Sequence, residues 1–119
     1  MTTIHVHPEE STQSAPVRLT PLPMAGLLIA AWNLLDRACD LPQPHMITVH
    51  DLQSISLQFP ADPASLRTIT RWAIRFGGVF TSEQHHGKTG PEIWCRVKFD
   101  YYGVDVDAYA IIPASVAGT

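Results

Sequence analysis

The sequence predicts an α+β fold, a two-layer domain in which a mostly antiparallel sheet of about five strands carries two helices on one face. Three observations predict it. Two runs near the C-terminus, Ile93–Asp100 and Val104–Ile112, alternate apolar and polar residues about a Tyr102-Gly103 corner, as a β-hairpin does. Two Xaa-Pro openings, Thr20-Pro21 and Asp62-Pro63, each precede a run with apolar residues at helical spacing. Between those helices, Met46–His50 and Ile55–Phe59 are short runs of strand character separated by Asp51–Ser54. The expected order is therefore helix, strand, strand, helix, strand, strand, strand.

Residues 1–19 are expected to form a flexible N-terminal segment, 20–113 one α+β domain, and 114–119 a loose tail. Ile4-His5-Val6-His7 alternates as a short edge strand does, and Pro8 with two glutamates ends it. The first helix is expected from Pro21 to Cys39, with Thr20 as its N-cap. Its apolar residues go nearly all the way round, so it must be covered on every side. One small sheet covers one face, which leads to the expectation of a second surface, a partner subunit. The second helix runs from Asp62-Pro63 to Phe76, where Gly77-Gly78 stops it. Leu66, Ile69, Ala73 and Phe76 form its expected core stripe, with Thr70 and Ile74 beside it and Arg67, Arg71 and Arg75 opposite. Val79–Glu83 resumes as a strand and Gln84–Pro91 is read as a loop.

The hairpin supplies the firmest register. Placing Phe99 opposite Val106, Val97 opposite Ala108, Cys95 opposite Ala110 and Ile93 opposite Ile112 makes one face wholly apolar. The other face then sets Lys98 opposite Asp107 and Arg96 opposite Tyr109, and a slip of one residue destroys the separation. Turn chemistry pulls the other way locally. A two-residue corner forces Tyr102 into positive φ, whereas Asp100 and Gly103 suit a type I turn with a glycine bulge. The pattern spans both strands and takes precedence.

With 45% hydrophobic and only 16% charged residues, the 119-residue chain can build a core and is not disordered overall. Its formal net charge of −3 argues against a general polyanion binder, which normally carries a basic excess. The two cysteines, Cys39 and Cys95, form no C-x-x-C pair and fit a reduced cytoplasmic protein, and a bridge between them is the one disulfide the chain permits. The first ten residues carry no Lys or Arg, unlike a secretory signal. The apolar run Met24–Leu35 is shorter than the about 20 residues a membrane span needs, so no membrane partner is expected.

Four groups of residues are candidates for function. The Arg67, Arg71 and Arg75 row could hold phosphates or carboxylates, and with Arg96 and Lys98 it makes a nucleic-acid surface; its ordinary reading is a solvated helix face. Trp94, Tyr101, Tyr102 and Tyr109 give the hairpin's outer side an aromatic character suited to stacking on bases or, preferably, to a protein interface, together with Leu27, Leu28 and Trp32 of the first helix. Six histidines raise a metal site, but no H-E-x-x-H or paired C-x-x-C spacing is present. No metal or other cofactor is expected; were there one, His50 with His85 or His86 would be the ligands. Asp100, Asp105 and Asp107 cluster at the hairpin tip, with Asp100 opposite Asp105, without a recognisable nucleophile beside them. His86-Gly87-Lys88-Thr89 lacks the first glycine of a phosphate loop.

The run from Asp62 to Ala110, a capped amphipathic helix ending in Phe-Gly-Gly and a hairpin with Tyr-Gly-Val-Asp-Val, resembles small uncharacterised α+β proteins of actinobacterial genomes and their phages or plasmids. The resemblance covers under half the chain, includes no catalytic motif, and implies a cytoplasmic accessory protein. The leading expectation is thus a non-enzymatic protein acting through protein–protein contacts, as a homodimer or with another protein. A nucleic-acid binder is the alternative, and a small metal-dependent enzyme the second alternative.

Overall fold

The computed structural model describes residues 2–7 and 21–114. Its elements are β1 (Thr2–Val6), α1 (Met24–Arg37), β2 (Met46–His50), β3 (Ser54–Gln58), α2 (Ala64–Phe76), β4 (Gly78–Gly87), β5 (Gly90–Tyr101) and β6 (Val104–Pro113). The strands form one sheet in the order β1-β4-β5-β6-β3-β2, antiparallel throughout except for the parallel pair β3–β6. Both helices pack on the same face, giving the two-layer α+β architecture. The sheet has six strands because Thr2–Val6, within the segment expected to lie outside the domain, pairs with β4 as an edge strand. The Thr20 cap and most of the expected C-terminal tail lie outside the described residues.

The hairpin register is the one the alternation requires, with Phe99 opposite Val106 and Ile93 opposite Ile112. Tyr102 and Gly103 close it with φ of 50° and 87°, a type I′ corner. Asp100 stabilises that corner by accepting a hydrogen bond from the Gly103 N–H at 3.1 Å. One turn residue held at positive φ costs about 1–2 kcal/mol. Shifting the register would expose the apolar face of both strands, so the pattern prevails.

Four local expectations are corrected. Helix α1 begins at Met24, not Pro21, because the Leu22 backbone is bound elsewhere: its N–H donates to Gln53 Oε1 at 2.8 Å and its carbonyl accepts from Gln53 Nε2 at 2.9 Å. Its C-terminus comes at Arg37, and Ala38 and Cys39 belong to the turn that follows. The expected loop after Glu83 is strand: Gln84, His85 and His86 pair with Ile93, Glu92 and Pro91, leaving Lys88-Thr89 as the turn. On α2, which Asp62 caps by accepting from the Ala64 N–H at 2.8 Å, the largest core residue is Trp72, while Leu66 is exposed. The indole can be buried because its Nε1–H donates to the Pro42 carbonyl at 3.0 Å.

The core lies between α1, α2 and the inner face of the sheet. Ile69, Trp72 and Phe76 of α2 meet Val97 and Phe99 of β5, with Phe76 stacked on Phe99 at 5.0 Å. Leu27, Ala31 and Leu34 of α1 cover the β2–β3 side, where Ile55 and Leu57 are fully buried. Among the described residues no helix is long and apolar enough to cross a membrane.

Candidate interaction surface

Helix α1 is apolar on nearly all sides, and the sheet covers one of them. Leu27, Ala31 and Leu34 point into the core, whereas Met24, Leu28 and Trp32, spaced four apart on a single row, are exposed, Trp32 at 75%. Leu27, expected at an interface, is fully buried: it lies with Ala31 and Leu34 on the sheet-facing side. Ile29 is exposed beside the row. The opposite flank of α1, with Ala30, Asn33 and Arg37, faces Tyr101 and Tyr102 across a cleft of about 450 Å³. There Tyr101 donates to Asn33 Oδ1 at 3.1 Å and Arg37 donates to the Tyr102 hydroxyl at 2.8 Å. With that flank turned to the hairpin, the Met24–Leu28–Trp32 row is turned toward the sheet edge formed by β2, where Met46 and Ile47 are also exposed.

The aromatic hairpin face divides. Tyr101 has the parity of Phe99 and is buried on the core side, edge-on to Phe76 at 6.1 Å. Tyr102 is at the corner, edge-on to Tyr101. Trp94 and Tyr109 are on the outer face, half-buried by neighbours: Trp94 lies against His85 at 4.6 Å, and Tyr109 reaches Gln58 at 3.4 Å. The parity that gave the register also assigns Tyr101 to the core, a signal the aromatic composition obscured.

The two halves of the expected nucleic-acid surface are on opposite sides of the sheet. Helix α2 packs on the inner face, so Arg67, Arg71 and Arg75 belong to the helical layer, while Arg96 and Lys98 alternate with core residues and point to the other side. Arg75 is moreover engaged, with both terminal nitrogens on the Asp40 carboxylate, at 2.6 and 3.1 Å, and one also on the Arg37 carbonyl. The hydrogen bond from Arg75 holds the Asp40 carboxyl below its usual range. The carboxylate that α2 itself lacks is thus supplied by the turn after α1. Arg67 and Arg71 are exposed, and Trp72 is too buried to stack on a base.

On the outer face, Arg96 lies over the Tyr109 ring at 5.8 Å and its Nε is 3.3 Å from Asp107 Oδ1. Both atoms are buried and not aligned as a hydrogen bond, so this is a charge contact. Lys98 borders a cleft of about 500 Å³ that also holds Ser54, Ser56, Asp100, Asp105 and Asp107. Three aspartates around one lysine make that cleft unsuited to phosphate. Burial pushes the Asp107 carboxyl above the ordinary range, and attraction to Arg96 and Lys98 only partly offsets it. A carboxyl whose folded pKa is raised loses relative stability as pH rises through that value, because the ionised form is the disfavoured one when folded. Asp107→Asn is therefore expected to stabilise the fold at pH 7, by under about 1 kcal/mol given its partial exposure. In urea titrations the gain should vanish below about pH 3, where the native carboxyl is itself neutral; a loss of stability at pH 7 would show that the Arg96 contact dominates.

The histidines do not converge. His50 ends β2 and is 3.2 Å from Ser56 Oγ; His85 and His86 are on β4, beside the far turn of the β4–β5 hairpin, with three strands between β4 and β2. Among the described residues no group of three potential ligands is placed to hold a metal. Cys39 is exposed, Cys95 is buried, and both are free thiols. No protein-family profile, curated protein or solved structure matches the chain.

Proposed function

We propose that the protein is a non-enzymatic cytoplasmic accessory protein that acts through protein–protein contacts, as a homodimer. The observation that carries this reading is the Met24–Leu28–Trp32 row, with a tryptophan three-quarters exposed on a helix whose other side is fully packed. A buried tryptophan is among the commonest anchors of protein interfaces, and leaving one in water forfeits its apolar burial. Neighbouring Ile29 and Leu28 make the exposure contiguous rather than scattered. The free state of Cys39 and Cys95 fits a reducing compartment.

Light scattering at tens of micromolar tests the reading. The wild-type chain is expected at twice its 13.1 kDa monomer mass. Trp32→Glu is expected near the monomer mass with an unchanged circular dichroism spectrum, since Trp32 takes no part in the core. Loss of a central anchor of about 2 kcal/mol or more raises the dissociation constant at least about 30-fold. A wild-type monomer at that concentration would overturn the proposal.

A further inference from the structure

Among the described residues the two ends of the sheet are unpaired, and the β2 end differs from the β1 end in what stands beside it. β2 is a regular five-residue strand, Met-Ile-Thr-Val-His, which among the described residues pairs with β3 alone. It contains no proline and no lysine, two of the devices that normally keep an edge from pairing with another chain. Its core-side residues Ile47 and Val49 continue the apolar layer toward α1, and Ile47 is 40% exposed. On that same side runs the Met24–Leu28–Trp32 row of α1. Helix row and strand edge thus form one continuous apolar strip in which β2, Met24, Leu28 and Trp32 carry no carboxylate, lysine or arginine, and exposed Asp36, one turn beyond Trp32, marks its end.

We infer that two copies join by antiparallel pairing of β2 with β2, centred on Thr48, so that the sheets merge into one continuous sheet and the two α1 rows pack against each other across the twofold axis. This rests on the homodimer reading above and specifies its geometry. Centring on Thr48 pairs Ile47 with Val49 of the other copy on the helix side and Thr48 with Thr48 on the outer side, apolar with apolar and hydroxyl with hydroxyl. A shift by one residue would put the second copy's helices on the opposite face and leave both strips in water. The absence of charge in the strip matters because each chain carries a net −3, and this contact brings two such chains together without facing like charges. Size also fits. The exposed parts of Trp32, Leu28, Met24 and Ile47 amount to roughly 500 Å², and the β2 backbone edge, with Met46 on its outer side, adds to this toward the roughly 800 Å² per partner of a stable interface. Ile4 of β1 and Ile74 of α2 make a smaller patch at the other edge, beside a cleft of about 190 Å³.

Cysteine cross-linking reads the register directly. In a Cys39→Ser background, which removes the exposed thiol, Thr48→Cys places two thiols on directly facing residues of an antiparallel pair. Facing Cα atoms there are about 4.5–5.5 Å apart, within the range a disulfide spans. Oxidised glutathione is expected to convert most of this variant to a covalent dimer that dithiothreitol reverses, whereas Ile4→Cys, at the centre of β1, stays monomeric on a denaturing gel. A wild-type protein that is dimeric by light scattering while Thr48→Cys fails to cross-link, or while Ile4→Cys cross-links instead, overturns the β2 pairing and leaves the homodimer standing. A wild-type monomer overturns both. Thr48 is exposed, so its replacement does not threaten the fold.

Discussion

Trp72→Ala is expected to lower the free energy of unfolding by about 3–5 kcal/mol, the usual cost of truncating a buried large aromatic. Trp72 is fully buried, edge-on to Phe59 at 5.8 Å and against Phe76 at 5.5 Å. Its removal leaves a cavity where α2 meets the α1–β2 connection, and it strips the Pro42 carbonyl of the donor that satisfies it. For a domain of this size the loss corresponds to a fall in melting temperature of about 10–20 °C. Trp72→Phe separates the two contributions: it retains most of the packing and is expected to cost about 1–3 kcal/mol, chiefly through the orphaned carbonyl. Thermal and urea unfolding of both variants measures this. An alanine variant within 1 kcal/mol of wild type would mean that the α2 core is far looser than its aromatic contacts indicate.

Gly78→Ala is expected to cost more than about 3 kcal/mol, although it adds only one methyl group. Gly78 has φ of 106°, where an L side chain is strained. A Cβ there would fall on the Lys98 carbonyl oxygen and lie 2.9 Å from Phe99 Cβ. Neither neighbour can yield cheaply, because both belong to β5 at the centre of the sheet and Phe99 is stacked on Phe76. The substitution would push β4 from β5 at the point where β1 also pairs, opposite Val6. Loss of amide protection across β1 and the start of β4, in hydrogen exchange, should accompany the lower urea midpoint. A variant as stable as wild type would place the α2–β4 turn elsewhere than in this geometry.

The exposed apolar row of α1 is only partly legible in the sequence. Trp32 and Leu28 are exposed, in keeping with an α1 that has more apolar residues than one sheet face can cover. Leu27 is buried although the sequence groups it with them, because an all-round apolar helix gives no phase: without knowing which side meets the sheet, every apolar position looks alike. The arginine row was visible as a row, but the Asp40 that engages Arg75 lies outside α2, in the turn after α1, and local spacing cannot reveal a partner 35 residues away. Tyr101 is buried on the core side, not on the outer face expected of it, for a different reason. Its alternation with Phe99 assigns it to the core, grouping it by composition with Trp94, Tyr102 and Tyr109 hides that parity, and the hydroxyl is accommodated there by donating to Asn33 of α1.

The sequence by itself determined what is local and periodic: the α+β class, the capped α2, and the hairpin register. Two-residue alternation over both strands leaves a single pairing that gathers Ile93, Cys95, Val97 and Phe99 with their partners on one wholly apolar face. Only the tertiary structure decided the rest. It brought Thr2–Val6 to the β4 edge, set β3 parallel to β6, and placed Arg96 and Lys98 on the far side of the sheet from Arg67 and Arg71. Those outcomes depend on which elements pack together across long stretches of chain. Backbone pairing at an edge is nearly indifferent to side chain, and the side a helix presents is fixed by what it packs against, so neither is written in a local pattern.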